Sequence, residues 1–472
     1  MVVNLSDFRK ELSRLGVDAF VCFSDDSHAS ESPCDHDDRR KELTGFTGSA
    51  GTALVSMEQA WLWTDGRYFV QAEAELGSEW TLMKGGLPDT KTINDVIKNT
   101  ESITKIGFDM LCSPFQTIQD LKTHTQKALV ATDNPVDALW PGRPPAPCGP
   151  ISLLPKEFSG QDTASKLAAV RTKMAEEDVT HVVVLSLDEV CWTCNIRGAD
   201  NPNTPFARGF LIIGLEYAEL YVVESRLTKE ALDALDCASV VRKSYFDFAQ
   251  GLQGIPKTAS VMVSRSAACV IEAISESNRR LVDANIVANL KAVKNQTELE
   301  GFQSCHVEDA VAMCRYLSWV TTASDDVLTS CTEFTAALRL EGLRREMPSN
   351  RGLSFTSISS IGGNGAVIHY HPTEKESAQI QRDLYLIDSG GQYVTGTTDV
   401  TRTMHLGEPS AEQAEMFTRV LCGHIDLAMT HFPRGTKGFQ LDTLARRHLW
   451  NVNRNYLHGT GEFVVRMSDE AG

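Results

Sequence analysis

The chain has 472 residues, 42% of them hydrophobic and 23% charged, which is enough apolar material for two or three separately cored domains and too much for a disordered polypeptide. Its formal net charge of −17, with Lys and Arg scattered rather than clustered, argues against a nucleic-acid or anionic-membrane surface. No apolar run of about eighteen residues occurs, so no segment reads as a membrane-spanning helix.

The amino terminus, "MVVNLSDFRKELSRLGVDAF", predicts an amphipathic helix and then a strand, without the apolar core or small-residue cleavage site of a secretory signal. The twelve cysteines lie in apolar settings such as "VCFS" and "VAMCRYL", as reduced, buried thiols of a cytosolic protein do, so a cytoplasmic location is expected. The next segment, "SDDSHASESPCDHDDRR", has a metal-like composition in His28, Asp35, His36 and Asp37, but its irregular spacing predicts an exposed acidic loop.

Two stretches then share one plan. "LSDFRKELSRLGVDAFVCFSDDSH" and "ASKLAAVRTKMAEEDVTHVVVLSLDEV" each run from a helix into a β-branched strand ending in an acidic turn. "GTALVSMEQAWLWTDGRYFV" and "GFLIIGLEYAELYVVESRL" each read as strand, turn, strand and the start of a helix. Two tandem α/β domains of common ancestry are expected, joined by the proline-rich "LWPGRPPAPCGPISLLPKEF", with a boundary near residue 155. Within the second, Cys191 and Cys194 have the CxxC spacing of a redox or zinc motif; with no second CxxC and Trp192 between them, core packing is the expected role.

A third region opens at "AVKNQTELEGFQSCHVEDAVAMCRYLSWV". Asn295 and Glu298 form a predicted capping pair, and Phe302, Ala310, Met313, Leu317 and Val320 carry a helical period behind it. His306, Glu308 and Asp309 are read as a solvated face of that helix.

The stretch that carries chemistry is "DLYLIDSGGQYVTGTTDVTRTMHL", two predicted strands around a Gly- and Thr-rich turn. A hairpin symmetric about Tyr393 and Val394 would set Asp388 directly opposite Asp399, with Cβ atoms about 4.5–5.5 Å apart. Two carboxylates that close repel unless a proton or cations lie between them, and all-oxygen ligation selects a hard divalent ion such as Mn, Mg or Ca. Either residue could instead cap a loop, although neither stands at a typical turn position. Upstream, "SSIGGNGAVIHYHP" places His369 at the end of a predicted strand, with His371 pointing to the same face. His405, His424 and His448 are expected to be structural or solvent-facing.

Taken together, "GAVIHY", "LIDSGGQYVTGTTDVTRTMH", "GTKGFQLDTLARRHLW" and "YLHGTG" resemble the catalytic domain of the cytosolic Xaa-Pro aminopeptidase (aminopeptidase P) family of metallopeptidases, which has the pita-bread fold. "RRKELTGFTGSAGTALVSMEQAWLWTDGRYFVQAEAEL" and "NIRGADNP" resemble its two creatinase-type amino-terminal domains. The fold class implied is α/β and α+β: creatinase-type domains at 1–155 and 156–292, a pita-bread metallopeptidase domain at 293–461 lacking its carboxyl-terminal part, and a non-homologous tail at 462–472. Prolidase, methionine aminopeptidase and creatinase share the Asp pair but not this three-domain layout.

The resemblance implies two divalent ions, usually manganese, held by two Asp, one His and two Glu, with Asp388 and Asp399 as the Asp pair. A hydroxide between the ions would attack the carbonyl that precedes proline. His369 and His458 would line the cleft and stabilise the tetrahedral intermediate. The implied substrates are peptides with proline in the second position, and a homodimer is expected of the full-length enzyme; nucleic acid and membrane are not expected partners.

The family pattern stops at Gly461. Glu462 stands where a ligand histidine is expected, and neither glutamate ligand follows, so the chain as written is expected to be inactive and poorly stable in its last third, with strand edges and apolar surface left open. Gly461-Glu462-Phe463 can be encoded with GTGAGT, a splice-donor sequence, so residues 462–472 are read as translated intron, with a true truncated isoform or an error of gene prediction as the alternatives. The alternative function is a catalytically dead pita-bread module that binds protein, against which the retained Asp pair counts. A prolidase, the third reading, is disfavoured by the duplicated amino-terminal domains.

Overall fold

A computed structural model describes residues 3–461, which fall into two compact units: one runs to Gln303 and the other begins at Ser304. The first unit opens with α1 (Leu5–Leu15), capped by the Asn4 side chain and buried through Leu5, Phe8 and Leu12. A six-stranded sheet follows: β1 (Ala19–Phe23), β2 (Thr52–Ser56), β3 (Ala60–Thr64), β4 (Thr81–Lys84), β5 (Lys105–Phe108) and β6 (Ala128–Ala131). After the proline-rich stretch come α2 (Thr163–Glu176), β7 (His181–Val184), α3 (Leu187–Cys194), β8 (Phe210–Gly214), β9 (Ala218–Val222), β10 (Val240–Ser244), β11 (Val261–Ser264) and β12 (Arg279–Val282).

The duplication inferred from the sequence extends to topology. The first sheet has the order β4-β3-β2-β1-β5-β6 and the second β10-β9-β8-β7-β11-β12, with the same sequence of parallel and antiparallel pairings. A helix feeding a buried β-branched strand, followed by an antiparallel hairpin, builds each sheet outward from its first strand. The second core begins to form ahead of the expected boundary at residue 155. Ile151 is already buried in the second core and Ser152–Leu153 pairs with Ile196–Arg197, because "ISLL" resumes apolar alternation directly after the prolines.

The cluster around His28 and Asp37 is neither a metal site nor an exposed loop. Asp37 is buried and takes ion pairs from Arg208 at 2.9 Å, Arg39 at 3.4 Å and Arg143 at 3.6 Å. Burial works against its charge, yet Arg208 and Arg39 hold its carboxyl below the usual range. His28 is buried against Phe210 and bonds the Leu185 carbonyl and Tyr245 hydroxyl, at 2.9 and 2.8 Å. Apart from Arg39, these partners come from segments more than a hundred residues away, so nothing in the local spacing reveals them.

Cys191 and Cys194 lie on α3 in the second core, as expected for packing thiols, and burial pushes the Cys191 thiol up to about 12. Glu189 on the same helix is buried, and its carboxyl is pushed up to about 7, by burial first and Asp188 second, against donation from Asn285 Nδ2 at 2.6 Å. A carboxyl raised in the folded state holds its proton longer there than in the unfolded chain. Stability of the first unit is therefore expected to fall as pH rises from about 4.5 through about 7. Glu189→Gln should flatten that slope in urea titrations performed on either side of the window.

The second unit is entered on α4 (Gln296–Thr322), whose start carries the predicted capping pair: Asn295 N donates to Glu298 Oε2 and Glu298 N to Asn295 Oδ1, both at 3.0 Å. Its buried stripe is Cys305, Asp309, Ala312, Met313, Tyr316 and Val320, whereas Ala310 is exposed. Asp309 thus occupies an apolar phase of the helix, contrary to its reading as solvated. Arg344 supplies the reason, reaching it from α5 (Glu333–Arg345) with bonds of 2.7 and 3.2 Å while itself only 1% exposed.

Two small sheets complete the described part of this unit. One has the order β14-β15-β18, from Ile358–Ile361, Leu384–Ser389 and Val400–His405; the other is β13-β16-β17, from Asn350–Leu353, Gly391–Tyr393 and Gly396–Thr397. Tyr385 and Ile387 turn from β15 into a core with Met313, Tyr316, Ala336 and Leu340. Last come α6 (Ala411–Met429) and α7 (Gly438–Trp450), a helical pair that crosses closely at Gly423. A Cβ there would lie 2.1 Å from the Ala445 carbonyl oxygen. Gly423→Ala is expected to cost about 1–3 kcal/mol, read as a lowered unfolding midpoint. Exposed large apolar side chains gather on this pair, among them Phe417, Val420, Leu421, Ile425, Met429 and Phe439. Of the remaining histidines here, His448 is structural: its Nε2 lies 2.7 Å from Asp426 Oδ2.

Candidate metal centre

The four candidate residues all lie on the second unit: Asp388 and Asp399 on the β15–β18 hairpin, His369 in the loop that precedes it and His458 near the end of the described chain. In β15 the side chains alternate, with Tyr385, Ile387 and Ser389 buried and Leu384, Leu386 and Asp388 on the other face. Asp388 is therefore presented away from the apolar core by strand geometry alone.

The predicted register is off by two. β15 pairs with β18 through Asp388↔Thr401 and Ser389↔Val400, and β16 with β17 through Gln392↔Thr397, so the hairpin is centred on Val394 and Thr395. Asp388 faces Thr401, while Asp399 precedes β18 and falls opposite Gly390 by the same register. The turn sits one residue later than assumed, and each residue of turn displacement moves the partner by two. The shift is even, so both carboxylates keep the same face as diagonal rather than direct neighbours.

Their carboxyls are close enough to hydrogen-bond to each other, and Asp388 also bonds the Thr401 side chain. Burial pushes the Asp388 carboxyl above the ordinary range, and the bonds from Thr401 and Asp399, with the charge of Arg344, oppose that rise. Asp388 Oδ1 is buried with no hydrogen-bond partner among the described residues, which is costly for a carboxylate and relieved by a cation. The pair thus offers oxygen donors to one hard divalent ion. No group of three or more His, Cys, Asp or Glu side chains that could hold a metal occurs among the described residues. Two carboxylates alone do not fit a two-ion centre.

Behind the pair lies a buried network that the sequence reading missed. Arg344 joins Asp309 and donates through Nη2 to the Ser389 carbonyl at 3.2 Å, one residue beyond Asp388. Tyr393 near the hairpin tip donates to Asp309 Oδ1 at 2.8 Å. One ion pair thereby holds both β15 and β16. A signal existed in the sequence: Asp309 falls in phase with Cys305, Met313, Tyr316 and Val320, and a lone carboxylate on an apolar stripe calls for a buried cation.

His369 is not on a strand. β14 ends at Ile361, a 3₁₀ turn covers Gly362–Ala366, and His369 follows in a turn with φ of 57°, a left-handed conformation that costs a non-glycine residue roughly 1–2 kcal/mol. The Gly-Gly-Asn-Gly run breaks the strand before the apolar "AVI" can extend it. The alternation that placed His371 on the same face is lost with it.

His458 sits on the exposed loop after α7. Its ring stacks on Tyr456 with centroids 4.6 Å apart, and its Nδ1 lies 2.7 Å from the Gly459 carbonyl. Arg446 gathers this loop, donating to the carbonyls of Tyr456 at 2.6 Å and His458 at 2.7 Å while lying over the Tyr456 ring. Thr460 closes it by donating to Asp442. Glu462 and the translated-intron reading of 462–472 lie outside the described residues.

Comparison with known proteins agrees with this architecture. Residues 5–139 and 142–298 each match a creatinase/prolidase N-terminal domain, and residues 300–469 match metallopeptidase family M24. The Drosophila melanogaster Xaa-Pro aminopeptidase ApepP is 38% identical, over 94% of this chain and 74% of its own length. Aminopeptidase P1 of Arabidopsis thaliana is 36% identical over 95% of this chain and 77% of its own. The crystal structure of X-prolyl aminopeptidase from Caenorhabditis elegans, described as a cytosolic enzyme with a di-nuclear active site, superposes with a TM-score of 0.92 at 32% identity, covering 98% of this chain and 79% of that one. With two creatinase-type domains preceding an M24 domain that carries the aspartate pair on its hairpin, the chain belongs to the Xaa-Pro aminopeptidase P family of metallopeptidases.

Proposed function

We propose that the chain's chemistry is hydrolysis of the amino-terminal Xaa-Pro bond of peptides and that it centres on Asp388 and Asp399. The observation that carries the reading is their convergence on one face of the hairpin with Asp388 Oδ1 buried and unpartnered. A divalent ion bound there would polarise the substrate carbonyl and acidify a water enough to act near neutral pH. Manganese suits the hard oxygen donors, and the di-nuclear site named for the Caenorhabditis elegans enzyme supports two ions in a complete centre.

His369 and His458 are the proposed wall of the cleft, holding the substrate carbonyl as negative charge develops on it. Because a peptide bond to proline has no N–H, specificity for proline in the second position has to come from ring shape and the free amino terminus. The proposed domains are those expected from the sequence, with the first boundary moved ahead of Ile151 and with the M24 match reaching residue 469, into the segment read as a non-homologous tail. A cytoplasmic location is supported by the cytosolic relative, and no helix of the described residues is long and apolar enough to cross a membrane.

With two donor side chains and no third among the described residues, the 472-residue polypeptide is proposed to bind metal weakly and, in place of the complete inactivity expected from the sequence, to turn over substrate poorly. Manganese-dependent release of the first residue from a tripeptide with proline second is the test. The reading expects slow turnover that prefers the tripeptide to an Xaa-Pro dipeptide and vanishes in Asp388→Asn and Asp399→Asn. Turnover indifferent to both substitutions would sink it, and a dipeptide preference would make the protein a prolidase. The exposed apolar faces of α6 and α7 favour one second reading, a non-catalytic protein-binding module, which metal-dependent turnover of any size excludes.

A further inference from the structure

The loop that carries His369 is held at both ends by one side chain. Glu333, the first residue of α5, is 0% exposed, and among the described residues every hydrogen bond its carboxylate accepts comes from residues 361–378. Ahead of His369, Ile361 N donates to Oε1 at 2.7 Å and Asn364 Nδ2 bridges both oxygens at 3.0 and 3.2 Å. Beyond it, the Tyr370 hydroxyl donates to Oε2 at 2.7 Å and Ala378 N at 2.8 Å. The backbone repeats the attachment, with Glu333 N donating to the Ala378 carbonyl at 2.9 Å and Ile380 N to the Cys331 carbonyl at 2.9 Å. Asn364 Nδ2 also reaches the Tyr370 hydroxyl at 3.2 Å, tying the two arms together next to the histidine.

A buried carboxylate needs several donors to remain in place, and here all of them belong to one loop. Between the two arms His369 keeps a left-handed backbone, which persists only where its surroundings over-determine it. We infer that Glu333, acting through Tyr370 and Asn364, is a positioning residue that sets the backbone and therefore the imidazole of His369. The inference rests on the reading of His369 as a substrate-facing histidine. Glu333 touches neither substrate nor metal in this account; it acts by fixing where the imidazole stands before substrate arrives.

The test uses the full chain with histidines labelled in carbon and nitrogen, the His369 signals being assigned by their loss in His369→Gln. Glu333→Gln and Tyr370→Phe each remove donor–acceptor matches at the carboxylate. Both are expected to shift the carbon signature of the left-handed His369 backbone and to speed amide exchange at residues 367–371 about fivefold or more, the effect of one lost hydrogen bond. Glu308→Gln, which loosens a carboxylate bonded instead to Ser349, serves as the structural control and should leave those signals in place. His369 signals unchanged in both loop variants, or moved as much by the control, would overturn the inference. If Glu333→Gln does not fold, Tyr370→Phe and Asn364→Ala decide the matter, because they leave α5 intact. Adding a tripeptide with proline second to the unmodified chain tests the underlying reading separately: unshifted His369 signals there reject the functional role and leave the positioning result to stand or fall on the variants.

Discussion

Asp309→Ala is expected to destabilise the second unit by about 3–5 kcal/mol, the cost of leaving a buried guanidinium without its counter-ion. Arg344 and Asp309 are 1% and 2% exposed, and the carboxylate accepts from Arg344 twice and from Tyr393 once. Removing it leaves the buried guanidinium charge with only the Ser389 carbonyl to accept from it and takes an acceptor from the Tyr393 hydroxyl. The double variant Asp309→Ala with Arg344→Met should recover much of that loss, since an apolar side chain of similar length carries no charge to solvate. Urea unfolding of the two single variants and the double variant closes the cycle, and additive effects would mean that the pair is not coupled. The Asp388–Asp399 arrangement should loosen together with stability, because Arg344 also holds the Ser389 carbonyl.

The second large effect is predicted at Gly390, which stands opposite Asp399 where the hairpin passes from one small sheet to the other. A Cβ there would lie 1.9 Å from the Thr398 carbonyl oxygen and 2.2 Å from Ser354 Oγ. The serine can rotate away, but the carbonyl is backbone, so the two arms of the hairpin must separate. Gly390→Ala is expected to cost about 3 kcal/mol, at the upper end for overpacking, and to separate the two carboxylates. Its signature is a lowered melting midpoint together with weakened manganese binding. Gly423→Ala, which strains only the α6–α7 crossing, should lower the midpoint alone.

How far the sequence reveals this molecule depends on the distance between the residues that matter. The duplicated α/β plan was legible because a helix followed by a β-branched strand is a local pattern, and its two copies fold into sheets of the same order. The Asn295–Glu298 cap spans three residues and was legible for the same reason. Asp388 and Asp399 could be placed on one face, because a register error of two preserves faces, but not opposite one another, because nothing local fixes whether the turn centres between Val394 and Thr395 or one residue earlier. His369 was misread as a strand residue where glycines upstream end the strand.

The long-range polar contacts stayed hidden. Asp37 looked like part of an acidic loop because two of its three arginines lie at positions 143 and 208, and only the fold brings them to it. Asp309 looked solvated because its partner is on another helix. Glu333 gave no sign at all, since four separate backbone and side-chain donors define its role. In each case an ionic group is buried by partners distant in the chain, which neither hydrophobic periodicity nor motif spacing encodes.

The measurement that tests the central claim most directly is manganese binding to the 472-residue chain by electron paramagnetic resonance, alongside Asp388→Asn, Asp399→Asn and the double substitution. The account predicts binding of about one ion at roughly millimolar affinity, weakened by either single change and abolished by both. Binding that is unchanged in the double variant would show that the hairpin carboxylates are not the site, and tight binding of two ions would contradict the proposal that the chain holds metal weakly.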